Sequence, residues 1–298
     1  MVRQYKIHTN LDGTDDKIWD VTNGKVRFYQ PSNLGLQSTN NIWQSNGIGV
    51  MGTRSINQPQ IEFKLETFGE SLEENYQLMK DFVNDILNKK FVTLEYQTEI
   101  FQVYADLALA DVTKTEGYGK NGTFSEKITF DIITKWYTYE NLTFDMIKNG
   151  KVIAGKSKIY GGTAPGSYKY VKGISYTYYG ETNIERLSRW DIKDEIFSFM
   201  GILYPQLPKT PTGVRFLDDI GNEYTAIVFK TEELQDYILI NTDVNDETYQ
   251  GWKGTTALNL FPVMDFERYR TRIIEKGQME LINLSKAEFK VKRKADFV

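Results

Sequence analysis

The chain has 298 residues, 40% of them hydrophobic and 14% aromatic, with a net charge of −4, one histidine and no cysteine. That charge gives no footing for nucleic-acid binding, and the missing cysteine removes disulfides, thiolate nucleophiles and thiolate metal sites. A mean hydropathy of −0.47, an N-terminus without an apolar core and no run near the ~20 apolar residues of a membrane span predict no membrane partner and synthesis in a reducing cytoplasm.

The early stretch "PSNLGLQSTNNIWQSNGIG" is rich in Asn, Gly, Ser and Gln. It reads as a long polar loop or extended hairpin, a segment that in a compact domain usually has a job or a partner. In "IEFKLETF", Ile61, Phe63 and Leu65 alternate with Glu62, Lys64 and Glu66, the period of a half-buried strand. The next segment, "GESLEENYQLMKDFVNDILNKK", predicts a helix. Ser71 and Glu74 have capping-box spacing, Leu72, Tyr76, Met79, Phe82, Val83 and Ile86 form one apolar stripe, and Lys89 and Lys90 suit its C-terminal end. Such a helix covers one face of a sheet. "FVTLEY", "FQVYADLALADV" and "FSEKITFDIIT" supply further strands, with a turn at Asn121-Gly122. A first domain is expected over residues 1–135.

Residues 136–298 form the expected second domain. "TGVRFLDDIGNEYTAIVFKT", "DYILINTD" and "AEFKVKRKADFV" have the texture of short antiparallel strands in a sandwich. Residues 150–212 read instead as an insertion. "IYGGTAPGSYKYVKGISYTYYG" holds six tyrosines and five glycines, and "TNIERLSRW" places Thr182 and Glu185 as a second capping box. Pro205, Pro208 and Pro211 have the three-residue spacing of a stiff polyproline strut. Glycine permits narrow turns, and tyrosine supplies rigid amphipathic contact area. The aromatics expected to grip a partner are Tyr168, Tyr170, Tyr176, Tyr178, Tyr179, Trp190, Phe197 and Phe199.

Catalysis has little to stand on. A lone His8 is more often an ordinary solvated or strand residue than a base, so serine and cysteine triads, which need a His base, are out, as are zinc sites, which draw on His or Cys. No phosphate-cradling loop or cofactor motif occurs. The acidic runs Asp12, Asp15, Asp16 and Asp243, Asn245, Asp246, Glu247 have oxygen ligands for calcium but lack EF-hand spacing, and turn capping accounts for them. No metal is expected. Lys286, Lys290, Lys292, Arg293 and Lys294 read as a charged edge strand that discourages edge-to-edge pairing, with contact to a charged partner as the rival. Residue chemistry alone therefore describes a β-rich, two-domain binding or assembly protein that is not an enzyme. Two rivals stand beside it: a saccharide-binding sandwich using Trp252 or the clustered tyrosines, and a wall hydrolase using a carboxylate pair.

Three long stretches, "NGKVRFYQPSNLGLQSTNNIWQSNGIGVMGTRSI", "ITFDIITKWYTYENLTFD" and "FERYRTRIIEKGQMELINLSKAEFKVKRKADFV", carry a resemblance that spans the chain. It resembles the distal tail proteins of siphophages that infect Lactococcus and carry a compact baseplate. The resemblance implies a virion protein that forms a hexameric ring with itself, joining the tail tube protein above to the tail-associated tip protein below. It implies an N-terminal ring domain with a β-sandwich, one helix and a long hairpin that reaches a neighbouring subunit. It also implies a C-terminal galectin-like β-sandwich whose arm-and-hand insertion, about 150–212 here, holds trimers of the receptor-binding protein for host adsorption.

Overall fold

The computed structural model describes residues 3–295, apart from 12, 14, 36, 58–59, 115–124, 145, 149–150, 154–188 and 245. The chain is mainly β and divides into two compact units, residues 1–138 with 295–298, and residues 139–294.

The first unit contains β1 (Gln4–His8), β2 (Ile18–Asp20), β3 (Val26–Ser32), β4 (Gln37–Ser45), β5 (Ile48–Asn57), β6 (Ile61–Thr67), α1 (Leu72–Leu87), β7 (Val92–Gln97), β8 (Gln102–Thr113), β9 (Ser125–Ile132) and the start of β10 (Tyr137–Phe144). Antiparallel pairing runs β2-β1-β7-β8-β9-β6-β3. The long β8 makes the corner. It pairs with β7 from Gln102 to Leu107 and with β9 from Leu107 to Thr113. A register shift between Leu109 and Asp111 bends the strand between these partners. The sheet thereby folds around a core that includes Ile7, Phe28, Phe63, Leu65, Leu94 and Phe130.

Helix α1 closes that core as its sequence period demands. Ser71 Oγ accepts the Glu74 N–H at 3.1 Å. The Glu74 carboxylate accepts the Glu70 N–H at 2.7 Å, so the reciprocal bond reaches one residue further back than in the simplest capping box. Phe82 and Ile86 are buried, with Met79 and Val83 packed beside them. The stripe narrows toward its start. Leu72 and Tyr76, expected to face the sheet, are each 60% exposed.

The second unit adds β11 (Met146–Lys148), β12 (Lys151–Ile153), β13 (Arg189–Ile192), β14 (Ile196–Pro205), β15 (Thr212–Leu217), β16 (Glu223–Phe229), β17 (Tyr237–Asn241), β18 (Thr248–Lys253), β19 (Thr256–Asn259), β20 (Gly277–Ile282) and β21 (Leu284–Lys294). One sheet runs β19-β18-β17-β14-β21-β10 and the other β13-β20-β15-β16. Their inner faces share a core that includes Phe199, Leu203, Phe216, Phe229, Ile238 and Phe289. Gly213 lets β15 lie close to β16, because a Cβ there would stand 1.9 Å from the Ile227 carbonyl oxygen.

This arrangement corrects three expectations. The sandwich resumes at Arg189, so β13, β14 and the proline turn belong to it and not to an insertion reaching residue 212. The prolines form no strut: Pro205 ends β14, and buried Asn283 pins the turn that follows. Its side chain donates to the Leu207 carbonyl at 2.9 Å and the Thr212 hydroxyl at 2.7 Å. Likewise, β21 is no edge strand. It lies between β14 and β10, and its cations have local partners. Lys292 meets Asp243 at 2.8 Å, Lys290 sits 3.9 Å over the Tyr139 ring, and Arg293 reaches Glu140 at 3.2 Å.

Candidate assembly surface

Strands β4 and β5 pair only with each other, as a two-stranded ribbon outside the folded sheet. Their turn is Asn46-Gly47, with φ of 51° and 81°. These positive values at both central residues are those of the hairpin turn whose twist matches its strands. That dipeptide is a signal the sequence reading passed over, having marked Asn121-Gly122, which lies outside the described residues.

Every residue of β4 is exposed, yet the ribbon is not polar throughout. Trp43 opposes Val50 and Ser45 opposes Ile48, which sets Trp43, Ile48 and Val50 on one face, while Ile42 opposes Met51 on the other. Trp43, Ile48 and Val50 are 69%, 70% and 63% exposed. An isolated two-stranded ribbon is marginal in water, and contiguous exposed apolar surface marks an interaction site. Chemically this surface can do one thing: bury itself against another surface.

The gripping aromatics fare unevenly. Tyr168, Tyr170, Tyr176, Tyr178 and Tyr179 lie outside the described residues, as does the capping box at Thr182 and Glu185. Trp190 is half-buried against the second unit's core, and Phe197 is half-buried in β14. Phe199 is corrected. It is 2% exposed and packs edge-on to Phe289 at 5.8 Å, so it holds the sandwich together and offers no contact surface.

The saccharide candidate is also engaged within its own sheet. Trp252 is stacked on Tyr237 with centroids 6.0 Å apart and planes 14° apart. Across β10, β21, β14 and β17 lies a mostly apolar groove of about 530 Å³, lined by residues that include Leu142, Met200, Ile202 and Leu239. The only aromatic lining it is Phe289, which is buried, so no ring is presented for stacking on a sugar.

Of the acidic runs, Asp12 and Asn245 lie outside the described residues, while others of their members are engaged in ion pairs. Lys89 reaches Asp15 at 2.9 Å, and Arg272 reaches Glu247 at 2.7 Å. Among the described residues no group of three His, Asp or Glu is placed to hold a metal ion. Asp16 instead belongs to a network around His8, where Nδ1 lies 2.6 Å from Asp16 Oδ2 and Nε2 lies 2.8 Å from Glu95 Oε2. Lys6 donates to the other Glu95 oxygen at 2.9 Å. Both ring nitrogens face carboxylates, so the imidazolium, donating from both, fits the site. Burial would lower the His8 pKa, but the hydrogen bonds to Glu95 and Asp16 outweigh it and raise it above 6.5. Glu95 is held down to about 2, chiefly by its hydrogen bond to His8, against the upward push of burial.

The sign follows from the two shifts. Stability from His8 is fully present below its unfolded pKa of 6.5 and is lost as pH rises through the higher folded value. That from Glu95 is present above 4.5 and is lost as pH falls toward about 2. The first unit's melting temperature should therefore fall between pH 6 and pH 8.5, and His8→Gln should flatten that slope in calorimetry. An unchanged slope in the variant would locate the titrating group elsewhere.

Comparison with known proteins places this geometry. The family described as the distal tail protein N-terminal domain matches residues 4–133, and the Dit C-terminal domain matches residues 135–298. The chain is 94% identical to the distal tail protein of Lactococcus phage p2 and 92% identical to that of Lactococcus phage SK1, over the full length of each. Among solved structures, a chain of the phage p2 baseplate in its activated conformation with Ca is 94% identical and superposes with a TM-score of 0.79, each chain covered completely. The SPP1 Dit protein is 10% identical over 98% of this chain, with a TM-score of 0.53, a likeness of fold.

Proposed function

The chain belongs to the distal tail protein family and is a structural protein of the phage baseplate at the distal end of the tail, and on that premise we propose that it assembles with itself into a hexameric ring through its first unit. The ring joins the tail tube to the tip protein below, and the second unit holds trimers of the receptor-binding protein through the segment between β12 and β13. What carries this reading is the β4–β5 hairpin, whose Trp43, Ile48 and Val50 have no cover among the described residues and need a neighbour to leave water.

Native mass spectrometry tests it. The intact chain should give a six-copy species, and replacing residues 38–56 with a short Gly-Ser turn should leave monomers with the first unit's melting transition in place. Closed rings from that variant would overturn the assignment. Replacing residues 154–188 with a Gly-Ser linker should preserve rings and abolish capture of the receptor-binding protein. Undiminished capture would remove the gripping role from that segment and from Tyr168, Tyr170, Tyr176, Tyr178 and Tyr179 within it.

A further inference from the structure

We propose that a proton on His8 latches the connection between β1 and β2 to the sheet, and that losing this proton frees Asp16 and uncovers Asn10 while Glu95 stays in place. The latch is independent of the ring reading. It concerns which part of a folded first unit lets go as pH rises.

Counting donors leads to it. The imidazolium has two N–H groups and meets two carboxylates from different parts of the chain: Asp16, between β1 and β2, and Glu95, within β7. A neutral ring has one N–H. One carboxylate would then face a ring lone pair at hydrogen-bond distance, and one of the two must withdraw. Glu95 is held. Its side chain is 5% exposed, its strand is paired on both sides, and Lys6 Nζ keeps its other oxygen at 2.9 Å. Asp16 is the one able to move, because its side chain is 16% exposed and it belongs to no strand. Its second oxygen accepts the Asn10 N–H at 2.9 Å, so withdrawal strips that amide of its partner.

The remaining charged groups near the ring are engaged elsewhere. His8 pairs across the sheet with Thr93, and Thr93 with Asp106 of β8. Asp106 accepts the Thr93 and Tyr137 hydroxyls at 2.8 and 2.7 Å. On either side of Asp16, Lys17 meets Asp85 of α1 at 2.5 Å, and Asp15 meets Lys89, just past the helix, at 2.9 Å. The connection therefore keeps its ties to the helix when it leaves the sheet.

Amide hydrogen exchange of the full chain at pH 6, 7.5 and 9, corrected for the intrinsic pH dependence, tests the latch. His8 is the one histidine and cysteine is absent, so no other side chain with an ordinary pKa titrates across that range. Protection at Asn10 should fall by up to about tenfold per pH unit above 6.5, the linkage limit for one proton, while the β7 amides keep theirs. His8→Gln, with one donor nitrogen in place of two, should leave Asn10 poorly protected at every pH. Asp16→Asn should do the reverse. Its amide can donate to Nδ1 of the neutral ring while Nε2–H stays on Glu95, so protection should persist to pH 9. A merely structural role for Asp16 would lower protection in both variants. Constant Asn10 protection in the unaltered chain overturns the latch. So does an Asp16→Asn variant that still loses protection as pH rises. Loss of β7 protection together with that of Asn10 would make the event an unfolding of the sheet and overturns it as well.

Discussion

Replacing Phe82 with alanine is expected to destabilise the first unit by about 3–5 kcal/mol, the range for emptying a fully buried aromatic site. Phe82 is fully buried. Its ring meets Trp19 edge-on at 5.2 Å and Phe28 edge-on at 5.8 Å, which joins the helix to β2 and β3. Those contacts come from separate elements, so the cavity can collapse only if the helix moves toward the sheet. The helix is held from doing so: Trp19 Nε1 donates to Asp85 Oδ2 at 3.0 Å, and Ser71 caps its other end. Urea unfolding of the first unit reads the loss. A change below about 1 kcal/mol would mean that the stripe does not seat on this sheet.

The helix illustrates what a single sequence can and cannot show. Its existence, its cap at Ser71 and its buried Phe82 and Ile86 were legible, because capping and a 3.6-residue period are local properties. The fate of Leu72 and Tyr76 was not. Periodicity records that a face is apolar without recording whether the chain's own sheet or another surface covers it. The same limit hid the character of β4 and β5, whose Asn, Ser and Gln content read as a polar loop or extended hairpin while the apolar members needed strand pairing to gather on one face.

Residues 189–212 were misread for a different reason. A register shift between Ile196 and Ser198 puts Ile196, Ser198 and Phe199 all out of solvent. A bulge of this kind breaks the strict alternation that identifies a half-buried strand. Charged β21 was read as an edge for want of its long-range partners. Lys292 looks like a solvated lysine until the loop after β17 is folded over it.

That loop makes Lys292 the site of the second large effect expected. The side chains of Lys292 and Asp243 are 7% and 13% exposed, and Nζ lies 2.8 Å from Oδ2. Asn241 Oδ1 accepts the Asp243 N–H at 3.1 Å, and the Asp243 carbonyl accepts the Asp246 N–H at 3.0 Å. The backbone of Asp243 is thus fixed by the turn's own bonds, and its carboxylate reaches Lys292 from there. Lys292→Met keeps the aliphatic stem and removes the ammonium, which leaves a desolvated carboxylate without its countercharge. Breaking one side of a buried pair costs about 3–5 kcal/mol, and the residual exposure of Asp243 places this case near about 3. Replacing both partners, Lys292→Met with Asp243→Asn, removes the stranded charge and should restore most of the second unit's stability. Calorimetry of the two single variants and the double completes the cycle. A coupling energy under about 0.5 kcal/mol would mean that the pair contributes no more than an exposed surface ion pair.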